Sequence, residues 1–163
     1  MTFLKFDEKK LPMEIVYRLI DELKDDPERL AITQSLTLNT SKPLSGLKGT
    51  FGLFGSQEWW ENIKQGKMPL LLLGGIVRRA YIADQDGTNE NDTIDLLLSD
   101  GTVRTVGIYV NDEKDASLFR VGHRAEIAYA LDELKQQPGV DGGINYSKVA
   151  LEMAVSLQPI QGA

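Results

Sequence analysis

The sequence predicts an α+β fold: an N-terminal helical segment packed on a small antiparallel β-barrel of about five or six strands. Three observations point there. All 15 glycines lie after residue 45, so the chain changes character at Gly46. Before that point apolar residues recur at helical spacing; after it they run in short stretches broken by turn residues. The length, 163 residues, is enough for one domain with its own core. Residues 1–45 are therefore read as the helical segment and 46–163 as the barrel-like part, together one compact unit.

In the first part, Pro12 suits a first helical turn, where its missing N–H costs nothing. Ile15, Val16, Leu19, Ile20 and Leu23 then form one apolar stripe. Asp26-Pro27-Glu28 starts a second helix, with Asp26 as N-cap, so helix is expected from residue 12 to about 36. The stretch from Asn39 to Gly46 reads as a linker. Glycines 46, 49, 52 and 55 could suit a phosphate-cradling loop, but the Lys-Ser/Thr ending of such loops is absent. The favoured reading is a glycine-interrupted strand bending into the barrel. Ser56 then caps a helix over 57–64, stopped by Gly66. Trp59 and Trp60 on it point about 100° apart, so one plugs the core beside Ile63 and the other sits at the margin.

From Leu70 a meander follows. Leu70 to Ala83 reads as a long strand with a Gly74-Gly75 hinge. Ile94 to Leu98 and Val103 to Val110 flank a tight turn at Ser99-Asp100-Gly101-Thr102. Residues 118–135 and 147–157 fit both periods, and local propensity favours helix. Strand is preferred, because three strands with one apolar face leave edges and a half-core to cover. The expected core is Ile15, Leu19, Leu23, Leu72, Ile76, Leu96, Val106, Ile108, Ile127 and Leu151.

Composition prunes the chemistry. There is no Cys and one His, so disulfides, Cys-zinc sites, thiol nucleophiles and multi-His metal sites are impossible within the chain. The loop from Asp84 to Asp92 is rich in oxygen ligands, but Gly87 falls at its fourth position and fails the EF-hand pattern. No metal and no cofactor is expected. The N-terminus lacks a basic start with an apolar run, and the apolar stretch from Met68 to Val77 is too short to span a bilayer. A soluble, cytoplasmic protein without a membrane partner is the expectation. Lys plus Arg is 18 against 24 Asp plus Glu, a net charge of −6, and the basic residues are scattered. That disfavours nucleic acid, whose phosphates need clustered cations. His123, in Val121-Gly122-His123-Arg124, reads as an exposed turn residue without a fixed partner. The competing role is a general base paired with Glu126.

The run from Gly52 to Trp60 with Gly66 and Gly75-Ile76-Val77, and the stretch from Phe119 to Arg124, resemble closed barrels of the OB and SH3-like type. Such a resemblance implies architecture only. No catalytic constellation emerges. A small acidic chain of this kind reads as a non-enzymatic interaction module, an inhibitor or immunity-type protein steered onto a basic protein partner. The alternative is a ligand-binding barrel or enzyme whose mouth carries Trp59, Trp60, Tyr81, Tyr109, Tyr129, Arg78, Arg79 and Arg104, with His123 nearby. A second alternative is single-stranded nucleic acid stacked on an OB-like face, which the charge opposes. Trp59, Trp60, Arg78, Arg79, Tyr81, Tyr109 and His123 are thus the candidate contacts for a partner or ligand.

Overall fold

A computed structural model describes residues 2–6, 11–83, 90–138 and 143–160. Residues 84–89 of the oxygen-rich loop lie outside the described residues. The elements in order are β1 (Met13–Arg18), α1 (Leu19–Asp25), α2 (Pro27–Leu38), α3 (Gln57–Lys64), β2 (Leu70–Tyr81), β3 (Thr93–Leu97), β4 (Val103–Gly107), a 3-10 helix (Glu113–Leu118), β5 (His123–Pro138) and β6 (Ile144–Pro159). The six strands form one antiparallel sheet in the order β1-β6-β5-β2-β3-β4. β1 and β4 are its two edges, so the expected barrel is corrected to an open sheet.

The β1 edge is covered in another way. The Asn111 N–H donates to Val16 O at 2.9 Å, and the Asn111 side chain exchanges bonds with Arg18 N and Arg18 O at 2.8 and 3.2 Å. One side chain thereby imitates a neighbouring strand.

The helix expected from residue 12 begins instead at Leu19. Met13 to Arg18 pair with Ser156 to Glu152 on β6, and Leu157 N donates to Pro12 O. Ile15-Val16-Tyr17 are residues that fit a pleated surface, and pairing with a distant strand overrides their helical spacing. Asp26 does cap α2, accepting from Arg29 N at 3.1 Å. Ser56 caps α3, accepting from Trp59 N at 3.2 Å. The two ambiguous segments are strands, β5 and β6, as preferred from the sequence.

The chain divides into two compact units. The first comprises Met1–Leu19, Leu72–Ala128 and Ala150–Ala163. Its core holds Val77, Ile94, Leu96, Val106, Phe119, Ala125, Ile127, Leu151, Met153 and Val155, all buried. Leu72, expected inside, is 56% exposed, and Ile76 and Ile108 are half-buried. The period along β2 was one residue out of phase: Gly75 and Val77 point inward. A Cβ on Gly75 would lie 2.4 Å from Leu97 O, so this glycine lets β3 approach closely. The strand's irregularity falls between Val77 and Arg79, not at the glycine pair.

The second unit comprises Ile20–Leu71 and Tyr129–Val149. The glycine-rich stretch here is not a strand. Gly46, Gly49, Gly52 and Gly55 all have φ between 74° and 100°, a left-handed backbone that L side chains rarely adopt. The threefold spacing therefore marks successive turns, which meet the sheet where Leu47 bridges Leu134 and where Lys48 and Thr50 reach the Glu133 carboxylate. Lys135 fastens the end of α2, its ammonium donating to Leu36 O, Asn39 O and Lys42 O at 2.6, 3.2 and 3.1 Å. Trp59 is fully buried beside Ile63, its ring 5.1 Å from that of Phe54. Its Nε1 donates to Asp132 Oδ2 at 2.9 Å. Burial raises the Asp132 carboxyl above its ordinary value, and the Trp59 bond opposes that only in part.

Candidate functional site

Strand alternation gives the first unit's sheet an outer face. Irregular register between Val77 and Arg79 turns the pattern over, so that Val77 and Ala80 face the core side while Arg79 and Tyr81 face out. Two consecutive arginines, Arg78 and Arg79, stay exposed as a result. Across the ladder, Arg79 lies opposite Asp95 and Asp95 opposite Thr105. These side chains meet. Tyr81 OH and Thr105 Oγ1 both donate to Asp95 Oδ1, at 3.0 and 2.8 Å. The Arg79 guanidinium stands 4.2 Å from the Tyr81 ring centroid, a cation–π contact.

Apolar neighbours flank this cluster on the same face. Leu72 and Val103 are 56% and 52% exposed, and Ile76 and Leu97 are half-buried. Further along, Arg124 pairs with Glu126 at 3.0 Å. A Cβ on Gly74 would come within 2.8 Å of Arg124 Nη2 and 3.2 Å of Glu126 Cγ, so the pair lies over bare backbone. Beyond it the N-terminal segment covers the face. Leu4 packs with Ala128 and Ala154, and the buried Glu152 accepts from Phe3 N and Leu4 N at 2.7 and 3.0 Å. What remains open is the part formed by β2, β3 and β4.

The sequence-selected residues separate. Arg79 and Tyr81 are brought together, with Arg78 exposed beside them. Tyr109 is exposed and tilts against Tyr17, 5.5 Å between centroids. Trp59 and Trp60 belong to the second unit; Trp59 is core, and Trp60 is half-buried, edge-on to it at 4.9 Å. The alternative reading of a ligand-binding mouth presupposed a closed barrel, and the sheet is open. Asp95 and Thr105 were not singled out from the sequence. The Asp100-Gly101 turn could have found them, because counting back from it pairs residue 95 with 105.

His123 corrects its expectation. It is buried, and Nδ1 lies 2.8 Å from Ser156 O, a carbonyl that can only accept. Arg124 N is held in turn by Ser156 Oγ at 2.9 Å, and Glu126 is engaged by Arg124 rather than by the imidazole. The histidine is a clamp between β5 and β6. His123→Ala is therefore expected to destabilise the protein by about 1–3 kcal/mol, measured by urea unfolding, because it leaves a buried carbonyl without its partner.

The open face holds donors, acceptors and an aromatic ring in fixed positions, a surface suited to recognition. Among the described residues, no group of acidic and imidazole side chains could hold a metal ion. None of their helices is long and apolar enough to cross a membrane. A family model described as "Immunity protein RhsI2" matches residues 13–156, from the first residue of β1 into the end of β6. No curated protein matches the chain.

Proposed function

The chain belongs to the RhsI2 family of immunity proteins, non-enzymatic proteins that neutralise a toxin, and from that premise we propose that it binds its cognate Rhs toxin through the open face of β2, β3 and β4. The observation that carries the choice of surface is the Arg79–Tyr81–Asp95–Thr105 cluster. Tyr and Arg are the residues most often found to dominate binding energy, and here their partners hold them in place before any toxin arrives. Leu72 and Val103 supply apolar area at the margin. The net charge of −6 favours encounter with a basic partner and makes the on-rate sensitive to salt.

The test is calorimetric titration of the purified toxin domain with face variants. Tyr81→Ala and Arg79→Ala should each weaken binding by about 1–3 kcal/mol while leaving the fold intact by circular dichroism. Ile32→Glu, on the exposed side of α2 in the second unit, should bind like the unaltered protein. Wild-type affinity in both face variants, with loss in Ile32→Glu, would move the docking surface to α2.

A further inference from the structure

The two edges of the sheet are treated differently. At β1, Asn111 occupies the outward backbone groups of Val16 and Arg18. Among the described residues nothing comparable happens at β4. Leu98 N donates to Thr102 O and Ile108 N donates to Asp92 O, both at 2.8 Å. Bonded pairs alternate along an antiparallel ladder, so Leu96 with Arg104 and Ile94 with Val106 are the pairs that exchange bonds inside the hairpin. The backbone N–H and C=O groups of Val103, Thr105 and Gly107 consequently point out of the sheet. Among the described residues no hydrogen bond reaches them.

β4 is short and carries one charge, Arg104, but other defences of an edge are absent. β4 contains no Pro and no Lys, and its register with β3 runs without a shift. Val103, Arg104 and Thr105 are all exposed. An edge with outward backbone groups left unpaired is a template for another strand, and a protein keeps one at the risk of aggregation unless it is used. The side chains of Val103 and Thr105 lie on the open face, so the edge is continuous with the Asp95 cluster.

We propose that β4 receives an extended segment of the toxin as a seventh strand, antiparallel or parallel, bonded to Val103, Thr105 and Gly107. This rests on the toxin-binding reading above and specifies how the partner is held. Main-chain bonds supply affinity, and alternate side chains of the added strand fall beside Thr105 and Asp95, where specificity is read. A second copy of this chain is the weaker occupant. Each copy carries a net charge of −6, so self-pairing begins with repulsion, whereas a partner protein of opposite net charge is drawn in.

Amide hydrogen exchange, read residue by residue with and without the purified toxin domain, tests this directly. The amides of Val103, Thr105 and Gly107 should exchange fast in the free protein and slow by at least about tenfold in the complex. Thr105→Pro removes one outward N–H without touching a backbone bond of the hairpin, loses the Thr105 hydroxyl bond to Asp95 as Thr105→Val also does, and should weaken toxin binding by at least about tenfold. Thr105→Val keeps the backbone and should bind far better than the proline variant. A complex that leaves the three amides fast would overturn the strand addition while the toxin reading stands. No complex at all would overturn the toxin reading itself. Protection that grows with concentration in the protein alone would assign the edge to a second copy and overturn the proposal. If the proline variant does not fold, the exchange pattern of the unaltered protein decides.

Discussion

Trp59→Ala is expected to destabilise the protein by about 3–5 kcal/mol, the largest effect of any single change considered. The side chain is fully buried, so truncation opens a cavity beside Phe54 and Ile63. It also strips Asp132 of the indole donor while its other oxygen, Oδ1, already has no partner. Trp59→Phe separates the two contributions. It keeps most of the apolar volume, removes the N–H, and should cost about 1–3 kcal/mol. The same pair sets a pH dependence. Asp132 is raised above its ordinary 3.8 chiefly by burial, so the fold holds a proton there more tightly than the unfolded chain does. Its contribution to stability is present at acid pH and is lost as pH rises through the raised value. Asp132→Asn should flatten that part of the profile. Urea unfolding followed by tryptophan fluorescence across acid to neutral pH checks both expectations.

Glu152→Ala is the second large effect, expected at about 2–4 kcal/mol. Glu152 is 2% exposed, and one of its oxygens accepts two successive backbone N–H groups, those of Phe3 and Leu4. Those bonds hold the N-terminal segment against the sheet, where Leu4 meets Ala128 and Ala154 and is flanked by Phe3, Phe6, Met13 and Ile15. Without the carboxylate two backbone donors, one buried and one partly buried, lose their acceptor and the segment lifts. Limited proteolysis should then cut before β1 far faster than in the unaltered protein. Glu152→Gln retains an acceptor oxygen and should show a smaller loss. Equal cleavage in all three proteins would mean that packing alone retains the segment.

Local rules were legible where the signal is local. The caps Asp26 and Ser56, the stop at Gly66 and the Asp100-Gly101 turn each act within a few residues, and each appears where its chemistry puts it. β5 and β6 were legible for a different reason: three strands needed cover, and that need outweighed helix propensity. β1 was not legible. Ile15, Val16, Leu19, Ile20 and Leu23 satisfy a helical stripe, while the partner that makes Met13 to Arg18 a strand lies at the far end of the chain. The glycines at 46, 49, 52 and 55 were noticed but assigned the wrong geometry, because spacing alone does not reveal the sign of φ. His123 misled because Gly122 beside it suggested a solvated turn. Ser156, which fixes it, is distant in sequence.

The candidate site was half legible. Arg78, Arg79 and Tyr81 stood out by residue type, though for a barrel mouth that the open sheet does not have. What sequence periodicity could not supply was the irregularity after Val77, which decides the face on which Arg79 and Tyr81 emerge. The β4 edge was invisible for a related reason. Edges exist only once strand order is known, and that order brings β1 to one side and leaves β4 at the other.

Neutralisation by binding rather than by catalysis has a stoichiometry, and titrating toxin activity against this protein measures it. Toxin at a concentration well above the dissociation constant should lose activity linearly and reach its floor at one equivalent of added protein. Complete inactivation by a small fraction of an equivalent, or undiminished toxin activity in excess protein, would contradict it.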